Sequence, residues 1–133
     1  MASTIRLELV TPERLLVSEE VDEVIAPGYE GEFGVLPEHT YYLAILSIGV
    51  LRYRKGSEVR KAAVCGGFAE VGPERMVVLA DLAEKAEEID VERARRARAQ
   101  AEAALKESTL DEESYATACA ALRRAAARIA ATE

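Results

Sequence analysis

In the stretch Ile89-Asp90-Val91-Glu92-Arg93-Ala94, a carboxylate and a guanidinium stand three residues apart where a helix opens. The first can accept a hydrogen bond and the second can hold an anion, so a ligand is expected to be read at this junction. Arg93, Arg95, Arg96 and Arg98 follow one another closely, and Arg123, Arg124 and Arg128 lie further on. Arg124 and Arg128, four apart, share a helix face. An anion fits such a set. The plainer reading of the same residues is a helix cap at Asp90 and an ordinary surface cation at Arg93.

Two other places invite chemistry. Cys65 precedes Gly66-Gly67, so a thiol beside a permissive turn could serve as a nucleophile. No base accompanies it, because His39 is the only histidine and sits in a distant segment. Cys65 therefore reads as a packed strand residue before a turn, and no catalytic residue is expected. Glu30 and Glu32 stand on a glycine-containing stretch, Glu30 to His39, that reads as an exposed loop. They suit either a solvated acidic turn or pairing with cations of a partner. For His39 a structural hydrogen bond is the expected role.

The elements that must position these groups differ on the two sides of the junction. Before it, Ile5, Leu7 and Leu9 alternate with polar residues, the period of a strand with one buried face. Short apolar runs follow at Leu15 to Val17, Val21 to Ala26, Tyr42 to Leu46, Val50 to Tyr53, Val59 to Val64, Phe68 to Val71 and Met76 to Leu79. Pro12, Pro27-Gly28, Gly34, Pro37, Gly49, Lys55-Gly56-Ser57, Gly66-Gly67 and Gly72-Pro73 separate them as turn signals. Such punctuation predicts an antiparallel sandwich or flattened barrel over residues 1–86. After the junction there is no Gly or Pro, and residues 87–133 read as an α-helical hairpin. Asp90 caps its first helix, whose stripe is Val91, Ala94, Arg98, Ala101 and Leu105. A polar link spans residues 106–110, and Thr109 or Asp111 starts the second helix. Tyr115, Leu122 and Ile129, with Cys119 and Ala126 beside them, form the expected seam. A seam made mostly of Ala buries little area, so the hairpin is expected to be marginally held and able to open.

The 133 residues are 50% hydrophobic, enough for one core, and carry a net charge of −7. That charge falls on the first part: residues 1–88 hold 16 acidic and 9 basic side chains, residues 89–133 eight of each. A negative field repels phosphates, so bulk nucleic-acid or anionic-membrane binding by the first part is not expected. Cys65 and Cys119 lack metal-like spacing and fit a reducing compartment. Neither a signal peptide nor a membrane-spanning run is read, so membrane association is expected only through partners.

The chain resembles the epsilon subunits of bacterial F-type ATP synthases over essentially its whole length. Four segments carry the resemblance: Leu9-Val10-Thr11-Pro12, Gly31-Glu32-Phe33-Gly34-Val35-Leu36-Pro37-Glu38-His39, Cys65-Gly66-Gly67-Phe68-Ala69-Glu70-Val71, and Ile-Asp-x-x-Arg-Ala from Ile89 to Ala94. The resemblance implies a non-catalytic rotor subunit on the cytoplasmic face of the cell membrane. Its first part would be a sandwich of two antiparallel sheets contacting the gamma subunit and the c-ring, and its hairpin would switch from a folded form to an extended one. Extended, the hairpin would insert among the alpha and beta subunits and stop ATP hydrolysis.

The resemblance also assigns sites. Ile-Asp-x-x-Arg-Ala matches the ATP-binding motif of nucleotide-sensing epsilon subunits. It implies that Ile89 and Asp90 meet the adenine, that Arg93, Arg124 and Arg128 engage the phosphates, and that Glu84 and Ala94 belong to the site. Where that pattern has an arginine in the first helix this chain has Gln100, with Arg98 as its substitute. ATP is thus the expected regulatory ligand, with no metal required. Glu30, Glu32 and His39 match the loop that faces the c-ring, although Glu38 replaces the Gly usual before that His. Two other classes remain open from the sequence: a free-standing ATP-sensing adaptor, and a small sandwich enzyme that would depend on Cys65.

Overall fold

The computed structural model describes residues 4–107 and 109–133. Eight strands come first: β1 (Ile5–Val10), β2 (Leu15–Val21), β3 (Glu23–Gly28), β4 (Gly31–Val35), β5 (Tyr42–Ile45), β6 (Ile48–Lys55), β7 (Glu58–Val71) and β8 (Arg75–Lys85). A single 3-10 turn, Ala86–Glu88, leads into helices α1 (Val91–Leu105) and α2 (Glu112–Thr132). The sandwich and the hairpin are as expected from the sequence. One neighbouring pair, β1 and β8, is parallel, so the sheet is mixed.

The two layers are one hydrogen-bonded sheet folded over, in the order β2-β1-β8-β7-β6-β3-β4 with β5 on β7. The fold line lies at Gly66-Gly67, where the sequence had suggested a turn between two strands. Instead β7 continues through it without a break, pairing with β6 over Glu58 to Cys65 and with β5 over Phe68 to Val71. Both glycines have positive φ, 70° and 111°, and a Cβ at Gly67 would lie 2.0 Å from the Leu79 carbonyl oxygen. Glycine is needed here to bend a strand from one layer to the other, which a side chain would block.

Between the layers, alternate residues of each strand build the core. Ile5, Leu7 and Leu9 of β1 meet Met76 and Val78 of β8, Val64, Ala69 and Val71 of β7, and Leu51 of β6. Their burial is what fixes the register, since a slip of one residue would turn every one of them to solvent. α2 lies on the outer face of the β6/β7 layer, where Ala127 and Ala131 cover Ala63, with Ile48, Val50 and Ile89 packed alongside.

Two sequence expectations about the hairpin change, the first because α2 has two partners. Ala118 and Ala125 are buried and so are Ala127, Ile129 and Ala131, whereas Tyr115 is 55% exposed and Ala126 is also exposed. The Tyr115/Leu122/Ile129 seam is therefore fully buried only at Ile129, with Leu122 and Cys119 partly buried, because small residues at α2's two contacts, with α1 and with the sheet, are buried in preference to a single heptad stripe. On α1 the buried residues are Ala94 and Ala101, while Arg98 is exposed and faces Glu102 at 3.8 Å. A long cation leaves a tight alanine contact for water. Ala97, Ala101, Ala104, Ala118 and Ala121 line a groove of about 520 Å³ between the helices, so the turn end of the hairpin is loosely filled. Asp111 caps α2 by accepting from the Ser114 backbone N–H at 2.7 Å. Position 108, within the polar link, lies outside the described residues.

The segment read as a loop from Glu30 to His39 is half strand. Gly31–Val35 pairs with β3, Val24 opposite Val35 and Gly28 opposite Gly31. Beyond it Glu38 adopts φ 67°, a left-handed conformation that costs a residue with a Cβ about 1–2 kcal/mol. A glycine at this position would relieve that strain, less the entropy a glycine loses on folding. Glu38→Gly is expected to stabilise the protein by about 0.5–1 kcal/mol in urea unfolding. An unchanged or lower midpoint would show that the Glu38 side chain compensates its own backbone.

Candidate functional site

The junction expected to read a ligand is built by three local devices. Asp90 stands at the helix start with extended backbone, and its Oδ1 accepts from the Arg93 backbone N–H at 3.1 Å. The cap leaves its second carboxylate oxygen outside that bond. The 3-10 turn presents Glu88, which accepts from the Lys85 backbone N–H at 3.0 Å. β8 ends on the same side, so Glu84, opposite Ala63 in register, projects from the sheet face that α2 covers.

These elements enclose a cleft of about 300 Å³ lined by Glu84, Glu88, Asp90, Arg93, Ala94, Ala97 and Arg128. Five of the eight residues expected at an ATP site thus meet: Glu84, Asp90, Arg93, Ala94 and Arg128. The other three do not line it. Ile89 is half-buried and packs with Ala63, Ala127 and Ala131, holding the junction to the sheet. Arg98 is exposed beside Glu102 and outside the cleft, and Gln100 lines the groove between the helices. Arg124, one turn before Arg128, is likewise absent from the lining. At Cys65 burial raises the thiol pKa, against the smaller lowering effects of Arg128 and Arg124. A thiol held protonated is a poor nucleophile, which agrees with the structural reading of Cys65.

Within the cleft the Arg128 Nε donates to Glu84 Oε1, joining α2 to β8. Among the described residues no salt bridge engages Arg93 or Arg124. Glu88 was not foreseen from the sequence, because its partner Arg14 lies 74 residues earlier in the β1–β2 turn. That guanidinium forks onto it, Nη1 to Oε2 at 2.6 Å and Nη2 to Oε1 at 2.8 Å. Arg14, with the Lys85 backbone N–H, lowers the Glu88 pKa to about 2 from an ordinary 4.5. Its contribution to stability is therefore complete above about pH 4.5 and is lost as the pH falls through about 2.

The acidic stretch of the sandwich is placed separately. Glu30 stands at the tip of the β3–β4 hairpin, and Glu32 on β4 pairs with Arg52 at 3.3 Å. The His39 Nδ1–H donates to the Thr40 carbonyl at 2.6 Å, and its ring leans on Tyr42 with centroids 6.3 Å apart. His39 thus makes the structural hydrogen bond expected of it.

The outer face of the other layer carries a feature that the sequence reading did not single out. Ile45, Phe68, Leu79, Val10 and Leu15 stand opposite one another in register across β5, β7, β8, β1 and β2. All but Val10 are at least half exposed. This continuous apolar row lies on the side of the sandwich opposite the hairpin. Only the pairing of β7 with both β5 and β8 aligns these residues, so no local pattern discloses the row.

Fold and site together define a class: a sandwich with an exposed apolar row on one layer and a helical hairpin packed on the other beside a charged cleft. Residues 4–86 match the family model described as "ATP synthase, Delta/Epsilon chain, beta-sandwich domain", and residues 87–133 match "ATP synthase, Delta/Epsilon chain, long alpha-helix domain". The chain belongs to the delta/epsilon chain family of ATP synthases. It is 53% identical over 133 residues to an ATP synthase epsilon chain of Syntrophobacter fumaroxidans, covering all of this chain and 98% of that one. It is 50% identical to an epsilon chain of Desulforamulus reducens, covering 100% of both. A chain in the Euglena gracilis mitochondrial ATP synthase (OSCP/F1/c-ring) superposes with a TM-score of 0.86 at 28% identity, covering all of this chain and 84% of that one. A chain of the Tetrahymena thermophila central stalk and c-ring assembly shares the fold, with a TM-score of 0.61 at 16% identity, covering 97% and 96% of the two chains.

Proposed function

We propose that this protein is the non-catalytic epsilon subunit of the central stalk of an F-type ATP synthase, coupling proton translocation to ATP synthesis. Residues 1–86 dock on the rotor, and residues 87–133 are a regulatory hairpin. The sandwich binds the gamma subunit and the c-ring at the cytoplasmic face of the cell membrane, reaching the membrane only through these partners. Among the described residues no helix is long and apolar enough to cross a membrane. Extended among the alpha and beta subunits, the hairpin inhibits ATP hydrolysis. ATP bound in the cleft favours the folded form.

The observation that carries the regulatory reading is the lining of the cleft by both helices and the sandwich: Asp90 and Arg93 from the start of α1, Arg128 from α2 and Glu84 from β8. Extension of the hairpin takes Arg128 away from the other three. A ligand bridging them therefore binds only the folded state and shifts the equilibrium toward it. For docking, the apolar row through Phe68 and Leu79 supplies a surface for gamma, and Glu30 and Glu32 face polar loops of the c-ring.

A pull-down with the gamma subunit, followed by calorimetric titration with ATP, tests both halves. Phe68→Glu with Leu79→Glu is expected to weaken gamma binding at least a hundredfold, since each change places a charge in a desolvated contact. Thermal stability should change little, because both side chains are about half exposed, 53% and 50%. Parent-like gamma binding by the double variant removes the docking face from this reading, and failure of the parent to bind gamma removes the rotor role.

A further inference from the structure

The cleft has a charge problem if its ligand is an anion. Three carboxylates line it, Glu84, Glu88 and Asp90, against two guanidiniums, Arg93 and Arg128. A polyphosphate entering that set meets a surplus of negative charge. The balancing cation comes from outside the lining. Arg14 reaches across from the β1–β2 turn and covers both oxygens of Glu88 in a planar fork, the geometry in which a guanidinium and a carboxylate pair best. The turn holding Arg14 is itself tied: the Thr11 backbone N–H donates to the Arg14 carbonyl at 2.9 Å, and the Arg14 backbone N–H donates to Thr11 Oγ1 at 3.3 Å. Thr11 is buried, so the cation is presented from a fixed base.

We infer that Arg14 is a positioning residue of the nucleotide site: from the sandwich it neutralises Glu88, and so lets the triphosphate of ATP approach Arg93 and Arg128. The inference rests on the ATP-binding reading above and adds to it a residue outside the Ile-Asp-x-x-Arg-Ala segment. The sandwich then does more than support the hairpin, because it sets the electrostatic condition under which the hairpin can hold a ligand. Groups facing Glu88 are Arg14 from the turn, Lys85 from β8, and the cleft-lining Glu84, Asp90, Arg93 and Arg128.

The test is a calorimetric titration of ATP into the full chain and three variants, Arg14→Ala, Glu88→Gln and the two combined. Arg14→Ala is expected to weaken ATP about tenfold, with a loss that shrinks as salt is raised, since the released charge acts through solvent. Glu88→Gln should bind ATP at least as tightly as the parent, because it removes the repelling charge and keeps the guanidinium. The combined variant should return to within about twofold of the parent, which a merely structural role for Arg14 would not produce. A carboxyl titration by NMR supplies a readout independent of ATP: the Glu88 midpoint should rise from about 2 toward 4.5 in Arg14→Ala. Parent-like affinity in Arg14→Ala, a loss that Glu88→Gln does not rescue, or an unmoved Glu88 midpoint overturns the assignment to Arg14 and leaves the nucleotide site standing. A parent that binds no ATP overturns the site itself, and the assignment falls with it.

Discussion

Ending the chain after Lys85 is expected to leave a folded sandwich that binds the gamma subunit as tightly as the full chain, and to abolish both ATP binding and inhibition of hydrolysis. The core residues from Ile5 to Ala80 come from the strands and, at Leu46, from the link between β5 and β6, so no helix is needed to close it. What the helices cover is small: Ala63, with Ile48 and Val50 beside it. Exposing that patch should cost the sandwich about 2 kcal/mol, a burial of roughly 80 Å² at about 25 cal/mol per Å². The apolar row through Phe68 lies on the opposite layer and loses nothing. Circular dichroism should keep its strand signature, and the assembled complex should hydrolyse ATP without the restraint exerted by the intact subunit. A truncated chain that unfolds would show that the hairpin is part of the fold. One that folds but leaves hydrolysis inhibited would place inhibition in the sandwich.

The separation into sandwich and hairpin was legible because each rests on a local signal. Ile5, Leu7 and Leu9 declare a half-buried strand through their alternation, and Asp90 and Asp111 declare helix starts through bonds to backbone three residues on. What escaped the sequence reading depends on contacts made far along the chain. Gly66-Gly67 looks the same whether it turns a chain back or bends a strand through, and only the change of partner from β6 to β5 decides between them. Gly31–Val35 looked like a loop because glycine and glutamate are poor strand formers, yet pairing with β3 outweighs that preference.

The same distinction runs through the site. Asp90, Arg93 and Ala94 fall together because one helical turn places them, and Glu84 and Arg128 join them only through the docking of α2 on the sheet. Arg124 shares a face with Arg128, yet only Arg128 is among the residues that line the cleft. Helical spacing locates a face and does not say how far along it a ligand reaches.

Arg128→Ala is expected to weaken ATP by about tenfold to a hundredfold, in keeping with the loss of a charge-assisted hydrogen bond of about 1.5–3 kcal/mol. Two effects act in the same direction. The phosphates lose a guanidinium, and Glu84 loses its partner and adds an unpaired carboxylate to the cleft. In the parent that Glu84 bond must be shared or exchanged when phosphate arrives, so Glu84→Gln is expected to bind ATP no more weakly than the parent, although its hairpin loses a tie to β8. Arg128→Lys keeps the charge without the fork and should fall between. Arg128 is a cleaner probe than Asp90, whose removal also deletes a helix cap worth about 1 kcal/mol. It sits far from either helix start, so its loss leaves both caps intact. The distance between a spin label on α2 and one on β6, measured without and with saturating ATP, then reads the switch directly. ATP should narrow the distribution to the docked distance in the parent and require at least tenfold more nucleotide to do so in Arg128→Ala. Equal ATP affinity in the two proteins removes Arg128 from the site. A parent whose distances ignore ATP separates binding from hairpin closure, and the regulatory role of the cleft is then wrong.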